Sequence, residues 1–342
     1  MMLADEILLW LREEEKSRLQ KLLKMADEIR KQNVGDEVHL RGLVEFSNIC
    51  VRSCTYCGIR AGNAKMIRYR MTREEILSCA DQAHRFGCGT IVLQSGEDIS
   101  LSAEWLGDIV REIKERYPLA ITLMLGEKSE KEYRYWFEQG ANRYLLKFET
   151  SDDDLYRRIH PPRKEKLPDR LELLKILKKI GYQTGSGIMV GIPGQTYKSL
   201  AHDILLFAEY DLDMIGIGPY IPHPETPMAQ DIRNRKILTE DQAPNDELTT
   251  LKVLALARLV CPQANIPATT ALATVDPEGH LKGLRSGANV IMPNLTPMSY
   301  RRLYEIYPKP VLLAAEQIHA KVIAAVKAAD RKLGQGRGDR NH

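Results

Sequence analysis

From residue 38 to residue 292 the chain alternates short β-branched or apolar runs with amphipathic stretches of helical period, and few architectures accept that pattern. A strand followed by a crossover helix returns to a parallel neighbour, so repeated βα units build a parallel sheet covered by helices. Eight segments read as strands: 38–46, 90–94, 120–125, 143–148, 185–190, 214–217, 265–269 and 289–292. Amphipathic helices are expected between them, at 72–86, 102–116, 169–180, 199–210 and 245–259. Eight such units make a (βα)8 barrel of the TIM type, with a doubly wound open sheet as the alternative. The expected division is an N-terminal helical cap at 1–34, a barrel at 35–312, and a C-terminal helix and tail at 313–342. The helix should span 314–333 and the Gly/Arg-rich tail should fray. Residues with chemical potential fall just after strand ends, which favours closure, because catalytic groups of closed barrels gather on that face.

Composition excludes several partners. Net charge is +3 with both signs interleaved, so there is no clustered basic stripe for nucleic acid. The start, MMLADEILLWLREEEKSRLQ, is acidic and amphipathic rather than a secretory leader, and no apolar stretch reaches membrane-spanning length. A cytoplasmic protein with a small-molecule or protein partner is expected.

Three of six cysteines crowd into Cys50-Val-Arg-Ser-Cys54-Thr-Tyr56-Cys57, directly after the first strand. A disulfide framework would spread them, whereas C-x3-C-x2-C suits a thiolate metal site in a reducing compartment. Three thiolates hold three irons of a cubane and leave the fourth open to an external ligand. The alternative is a closed zinc tetrahedron, which wants a fourth Cys or His nearby; His39 lies in the preceding strand and Cys79 on a helix. Cys79, Cys88 and Cys261 read as small core residues. The spacing, with Tyr56 before the last cysteine, resembles the signature of the radical S-adenosylmethionine (SAM) superfamily. That resemblance implies a [4Fe-4S] cluster on Cys50, Cys54 and Cys57 and reductive cleavage of SAM to a 5'-deoxyadenosyl radical.

Further strand ends carry polar groups. Gln94-Ser95-Gly96-Glu97 offers close backbone approach at Gly96 and an ammonium acceptor at Glu97, although a turn with a capping acid has the same composition. It resembles the superfamily's Gly-Gly-Glu motif with Ser95 in first place. Glu149 ends the fourth strand and Arg170 opens the helix after Pro168; a carboxylate and a fork-shaped cation suit the two charged ends of a methionine moiety. The fifth strand, with Gly187 and Gly191, is too glycine-rich for an ordinary interior strand, so something comes close to its backbone. It resembles the adenine-side strand of radical SAM barrels, while a tight βα connection is the plainer reading. His223, between prolines, reads as a structural loop residue more than an acid or base.

Six blocks are more specific. Glu45-Phe-Ser-Asn-Ile-Cys50, residues 90–98, 143–150 and 217–227, Ile266-Pro-Ala-Thr-Thr270 and residues 287–294 together resemble the HydE family of [FeFe]-hydrogenase maturases, over about residues 20–310. The family is similar to biotin synthase and methylornithine synthase, so another enzyme of that kind is the alternative, and a non-enzymatic metal-binding barrel is disfavoured by the missing fourth ligand. The resemblance implies assembly of the hydrogenase diiron subcluster. The maturase HydG would supply an iron-carbonyl-cyanide complex of cysteine, the adenosyl radical would attack its sulfur, and the product would pass to HydF, with an electron donor reducing the cluster. By position, Tyr56, Ser95, Gly96, Glu97, Glu149, Arg170, Gly187 and Gly191 would serve SAM, with Arg170 also catalytic. Gln94, Lys147, Thr269, Thr270, Tyr304 and Tyr307 would line a substrate cavity. No Cys follows Cys261, so one cluster is expected rather than two, and Lys147 stands where relatives carry Arg, a point charge in place of a fork.

Overall fold

The computed structural model describes residues 2–162, 167–233, 239–306, 308 and 312–340. All eight expected strands form: β1 (Glu37–Ser47), β2 (Thr90–Ser95), β3 (Ala120–Met124), β4 (Arg143–Leu145), β5 (Gln183–Val190), β6 (Met214–Pro219), β7 (Pro267–Ala268) and β8 (Val290–Ile291). They are parallel, in the order β6-β5-β4-β3-β2-β1-β8-β7. Between the ends of that path, Asn265 bridges Met214, with Ile215 N donating to Asn265 O at 3.0 Å and Asn265 N to Asp213 O at 2.9 Å. The ring is thereby a nearly closed eight-stranded barrel.

The strands on the β7 and β8 side are short for local reasons. Pro267 has no N–H to give a ladder, and Thr269 already caps the next helix, Thr270–Val275. The regular ladder of β4 ends at Leu145, and the chain meets β5 again at Glu149, whose φ is +65°. The crossover helices start where side chains satisfy their first N–H groups: Thr72 and Glu75 form a capping box on Arg73–Arg85, and Ser102, Asp169, Thr196 and Asp246 cap the helices that follow them.

Register sorts the two faces. Gly42, Val44 and Phe46 pair through Ile91 and Leu93 with Ile121 and Leu123, and a Cβ on Gly42 would meet Ala83 of helix Arg73–Arg85 at 3.1 Å, so this set faces outward under the helices. The alternate set faces inward and is polar: Arg41, Thr90 and Arg143 low in the barrel, Glu45 and Gln94 higher. Helices Ala4–Leu11 and Lys16–Val34 pack outside helices Tyr197–Glu209 and Glu247–Val260, and their Ile7, Leu11, Leu22 and Ala26 join the same buried apolar cluster as the strands. No helix among the described residues is long and apolar enough to cross a membrane.

The C-terminal segment departs from expectation. Its helix spans Ala315–Ala328, not 314–333, and Lys332–Leu333 form β9, parallel to Glu37–Val38 of β1. The tail then lies across the bottom of the barrel instead of fraying. Thr90 Oγ1 and Arg143 Nη2 donate to Arg337 O at 3.0 and 2.8 Å, Arg41 Nη2 and Asn265 Nδ2 to Gly338 O at 3.2 Å each, and Asp339 pairs with Arg143 at 2.6 Å. Low local propensity suggested disorder, but the buried cations and hydroxyls pointing down the barrel need acceptors, and the tail's carbonyls supply them.

Candidate active site

The loop after β1 carries Cys50, Cys54 and Cys57 over the mouth of the barrel. Asn48 Nδ2 donates to Ile67 O and Leu303 O at 2.8 and 2.7 Å, Val51 N to Glu97 O at 3.0 Å, Thr55 N to Ile159 O at 3.0 Å and Gly58 N to Ile306 O at 3.2 Å. Anchors on four sides fix the loop without regular secondary structure. A Cβ on Gly96 would lie 2.3 Å from Ile49 O and 2.8 Å from Cys50 Cβ, so glycine there is what lets the cysteine loop sit on the end of β2.

All three cysteines line one cavity of about 230 Å³ at the C-terminal strand ends. With them are Gln94, Ser95, Gly96 and Glu97 from the end of β2, and Lys147 and Glu149 beyond β4. Tyr56, Arg170 and Tyr304 complete its wall. A groove of about 390 Å³ outside the barrel, between helix Arg73–Arg85 and residues 295–298, shares none of these residues. Burial pushes the three thiols up, that of Cys54 to about 12, so a thiolate at this place requires a cation to stabilise it. A cubane takes its thiolates at three separate corners, and three cysteines ringing one cavity meet that demand.

Glu149 is held in the left-handed region by two ladder bonds, its N–H to Gly187 O at 3.0 Å and its carbonyl from Met189 N at 3.3 Å. That conformation costs a non-glycine residue about 1–2 kcal/mol. It aims the side chain into the cavity, with Oε1 3.5 Å from the Tyr56 hydroxyl and Oε2 buried without a hydrogen-bond partner. A buried carboxylate oxygen in that state calls for an N–H or O–H donor from a ligand. Arg170 donates from Nε to Glu127 Oε1 at 2.8 Å and from Nη1 to Lys147 O at 2.5 Å, while Arg52 lies 3.5 Å from Glu127 Oε2. One carboxylate thus orients two guanidinium groups, and that trio carries one positive charge in excess. The two-anion, two-cation set of Glu97, Glu149, Arg170 and Lys147, behind three thiols, fits a ligand bearing both an ammonium and a carboxylate.

Deeper in, Gln94 Nε2 donates to the Tyr304 hydroxyl at 3.0 Å, and Gly216 leaves room for Lys147, whose Cε would lie 3.3 Å from a Cβ there. Ser95 Oγ is turned to Gly96 O at 2.7 Å. Four expected residues stand elsewhere. A Cβ on Gly187 would strike Gly216 O at 2.0 Å and one on Gly191 the Asn245 backbone at 2.3 Å, so close chain packing already requires these glycines. Thr269 Oγ1 donates to Ile217 O at 2.9 Å and caps Thr270–Val275; the wall at that corner is formed by Ala271, not by Thr269 or Thr270. Tyr307 lies outside the described residues. His223 is buried against Gly58, its Nδ1 accepting from Glu225 N at 3.2 Å, and Cys79, Cys88 and Cys261 are buried away from the cavity.

Three participants were not anticipated. Gly126-Glu127 repeats the Gly96-Glu97 pattern one βα unit later, a signal that could have exposed Glu127. Arg52 carried none beyond its place between two cysteines. His160, after helix Asp153–Ile159, sets Nδ1 3.2 Å from Cys54 Sγ and Nε2 3.2 Å from the Tyr56 hydroxyl. Burial, then Arg170 and Arg52, push its imidazole well below the usual range.

Residues 44–207 match the family model of the radical SAM superfamily. The chain is 46% identical over 321 residues to the [FeFe] hydrogenase maturase subunit HydE of Thermotoga maritima, covering 93% of this chain and 88% of that protein. It is 28% identical to the 3-methylornithine synthase of Methanosarcina acetivorans over 84% of this chain and 78% of that one. Among solved structures, methylornithine synthase superposes with a TM-score of 0.83 at 24% identity, over 98% of this chain and 95% of that one. The maturase HydG superposes at 0.75 and 17%, over 93% and 70%; both likenesses are of fold.

Proposed function

Because the chain belongs to the HydE family of [FeFe]-hydrogenase maturases, within the radical SAM superfamily, we propose that Cys50, Cys54 and Cys57 hold its [4Fe-4S] cluster and that the cavity behind them receives SAM. The observation that carries this reading is the convergence of three thiols, the partnerless Glu149 Oε2 and the Glu127-tethered Arg170 on one strand-end cavity. When bound, the cluster supplies one electron to the sulfonium of SAM, and cleavage of the C–S bond gives the 5'-deoxyadenosyl radical.

The chain's own residues position and shield. Three thiolates leave one corner of a cubane for an external chelating ligand. Glu149 accepts from the ligand's ammonium or ribose, Glu97 stands on the same wall beside Cys50, and Arg170 takes the carboxylate. Tyr56 closes the space between the cysteine loop and Glu149, while Ser95 and Gly96 shape the floor under the loop. Gly187 and Gly191 act at one remove, by letting β5 lie close to its neighbours.

Gln94, Lys147 and Tyr304 present an amide, a cation and a hydroxyl deeper in the barrel, with Tyr307 as a further substrate-lining candidate and Thr269 and Thr270 set behind Ala271. A cation among neutral donors suits an anionic organometallic substrate carrying cyanide and carboxylate ligands. The substrate is accordingly an iron-carbonyl-cyanide complex of cysteine from HydG; the adenosyl C5' forms a bond to its sulfur while the odd electron passes to the substrate's iron, and the product passes on to HydF. A separate electron donor completes the cycle, in the cytoplasm. The 3-methylornithine synthases are the less supported alternative, at 28% identity against 46%.

Anaerobically reconstituted protein should contain about four irons with labile sulfide per chain. Reduced and mixed with SAM and the iron-cysteine complex, it should yield an adenosylated product; 5'-deoxyadenosine without that product would overturn the substrate, and no SAM cleavage would overturn the reading as a whole.

A further inference from the structure

His160 lies outside every residue assigned above and touches two of them. Its ring is fixed on two sides: Tyr156 stacks on it with centroids 4.9 Å apart and planes 27° apart, and Tyr56 meets it edge-on at 5.4 Å and 78°. Its backbone is fixed as well. His160 N donates to Tyr156 O at 2.8 Å, and Thr55 N donates to Ile159 O at 3.0 Å, so the end of helix Asp153–Ile159 and the cysteine loop are one unit.

Each ring nitrogen here has a different neighbour, Cys54 Sγ for Nδ1 and the Tyr56 hydroxyl for Nε2. The Tyr56 hydroxyl can donate to Nε2, which leaves the proton on Nδ1, facing Cys54 Sγ at 3.2 Å. The opposite tautomer would set a lone pair against sulfur, which is repulsive once Cys54 is a thiolate. A thiolate at Cys54 therefore selects an N–H at Nδ1.

We propose that His160 is a positioning residue that donates Nδ1–H to the Cys54 thiolate and accepts from Tyr56, so making the cluster easier to reduce and fixing Tyr56 beside Glu149. This rests on Cys54 being a cluster ligand. An N–H aimed at a ligating sulfur stabilises the more negative, reduced cluster and raises its potential. The same ring holds the Tyr56 hydroxyl, 3.5 Å from Glu149 Oε1, and so ties one cluster corner to the carboxylate that faces the ligand.

The test is an EPR-monitored redox titration of full-length reconstituted protein without SAM, with iron content measured alongside. His160→Phe keeps ring volume and removes the donor; its midpoint should move to a more negative potential at unchanged iron content. His160→Asn restores an N–H close to the Nδ1 position, and its midpoint should return toward wild type. Equal midpoints for His160→Phe and wild type at equal iron would overturn the proposal. If His160→Phe does not hold iron, His160→Asn decides: iron and a near-wild-type midpoint sustain the donor role, and loss of iron as in His160→Phe overturns it. Cys54→Ala separates the parent reading, since full iron retention there would remove Cys54 as a ligand whatever His160 does.

Discussion

Gly96 and Glu149 show how single positions set the site. The Cβ of Gly96→Ala would press on backbone at Ile49 and on Cys50, neither of which is a flexible tip, so the cysteine loop must move. Such overpacking costs about 1–3 kcal/mol, and we expect Gly96→Ala to fold but retain less iron after reconstitution, read by iron and sulfide analysis. Wild-type iron content in that variant would mean the loop is looser than its four anchors suggest. Glu149→Gln keeps shape and removes the charge; losing a charge-assisted hydrogen bond of about 1.5–3 kcal/mol should lower kcat/KM for SAM cleavage by about tenfold or more, with iron content unchanged. An unaltered kcat/KM would show that the partnerless Oε2 does not face SAM. That the cysteines, Glu97 and Glu149 would come to one cavity was legible because each follows a strand end, and Arg170 joins them from the start of the helix after Pro168. Glu127 was not legible, because its work is to hold Arg170.

At the scale of elements, the C-terminal tail has the largest consequence. Arg41 and Arg143 are pushed below the usual guanidinium range by burial, and tail carbonyls and Asp339 are among their acceptors. Ending the chain after Leu333 would open the barrel bottom and strip these partners, with an expected loss of about 2–4 kcal/mol. Asp339→Ala removes only the partly exposed carboxylate and should cost less, about 1 kcal/mol. Thermal unfolding of the three proteins should rank them in that order, and a truncated chain as stable as wild type would show that the plug is dispensable. Strand and helix positions followed from hydrophobic period and caps, but nothing in Gly334–Arg340 distinguishes a plug from a fraying end, since its stability comes from groups on β1, β2, β4 and the Asn265 turn.

For the whole molecule, closure of the barrel buries Glu45 of β1 and packing of helix Tyr197–Glu209 buries Asp203, and pH then acts on stability. Burial pushes the carboxyls of Glu45 and Asp203 up to about 7. In the unfolded chain they titrate near 4.3 and 3.9, so between those values and about 7 the folded state holds protons that the unfolded state has lost, and stability falls as pH rises. The penalty from each is absent below its unfolded value and complete above about 7, on the order of 3 kcal/mol for Glu45. Glu45→Gln keeps an acceptor for Asn294 Nδ2, 2.9 Å away, and should flatten the slope of urea-unfolding free energy between pH 4.5 and 7; an unchanged slope would place the titration elsewhere. The sequence by itself determined the parallel βα order, the three thiolates at cubane spacing and the family, because period, caps and cysteine spacing are local properties that survive in a string of letters. Only the tertiary structure decided that Cys54 meets His160 across 106 residues, that Glu127 holds two arginines and that the tail seals the barrel. Those contacts depend on ring closure bringing distant strand ends together, and a buried polar group finds its partner in space rather than along the chain.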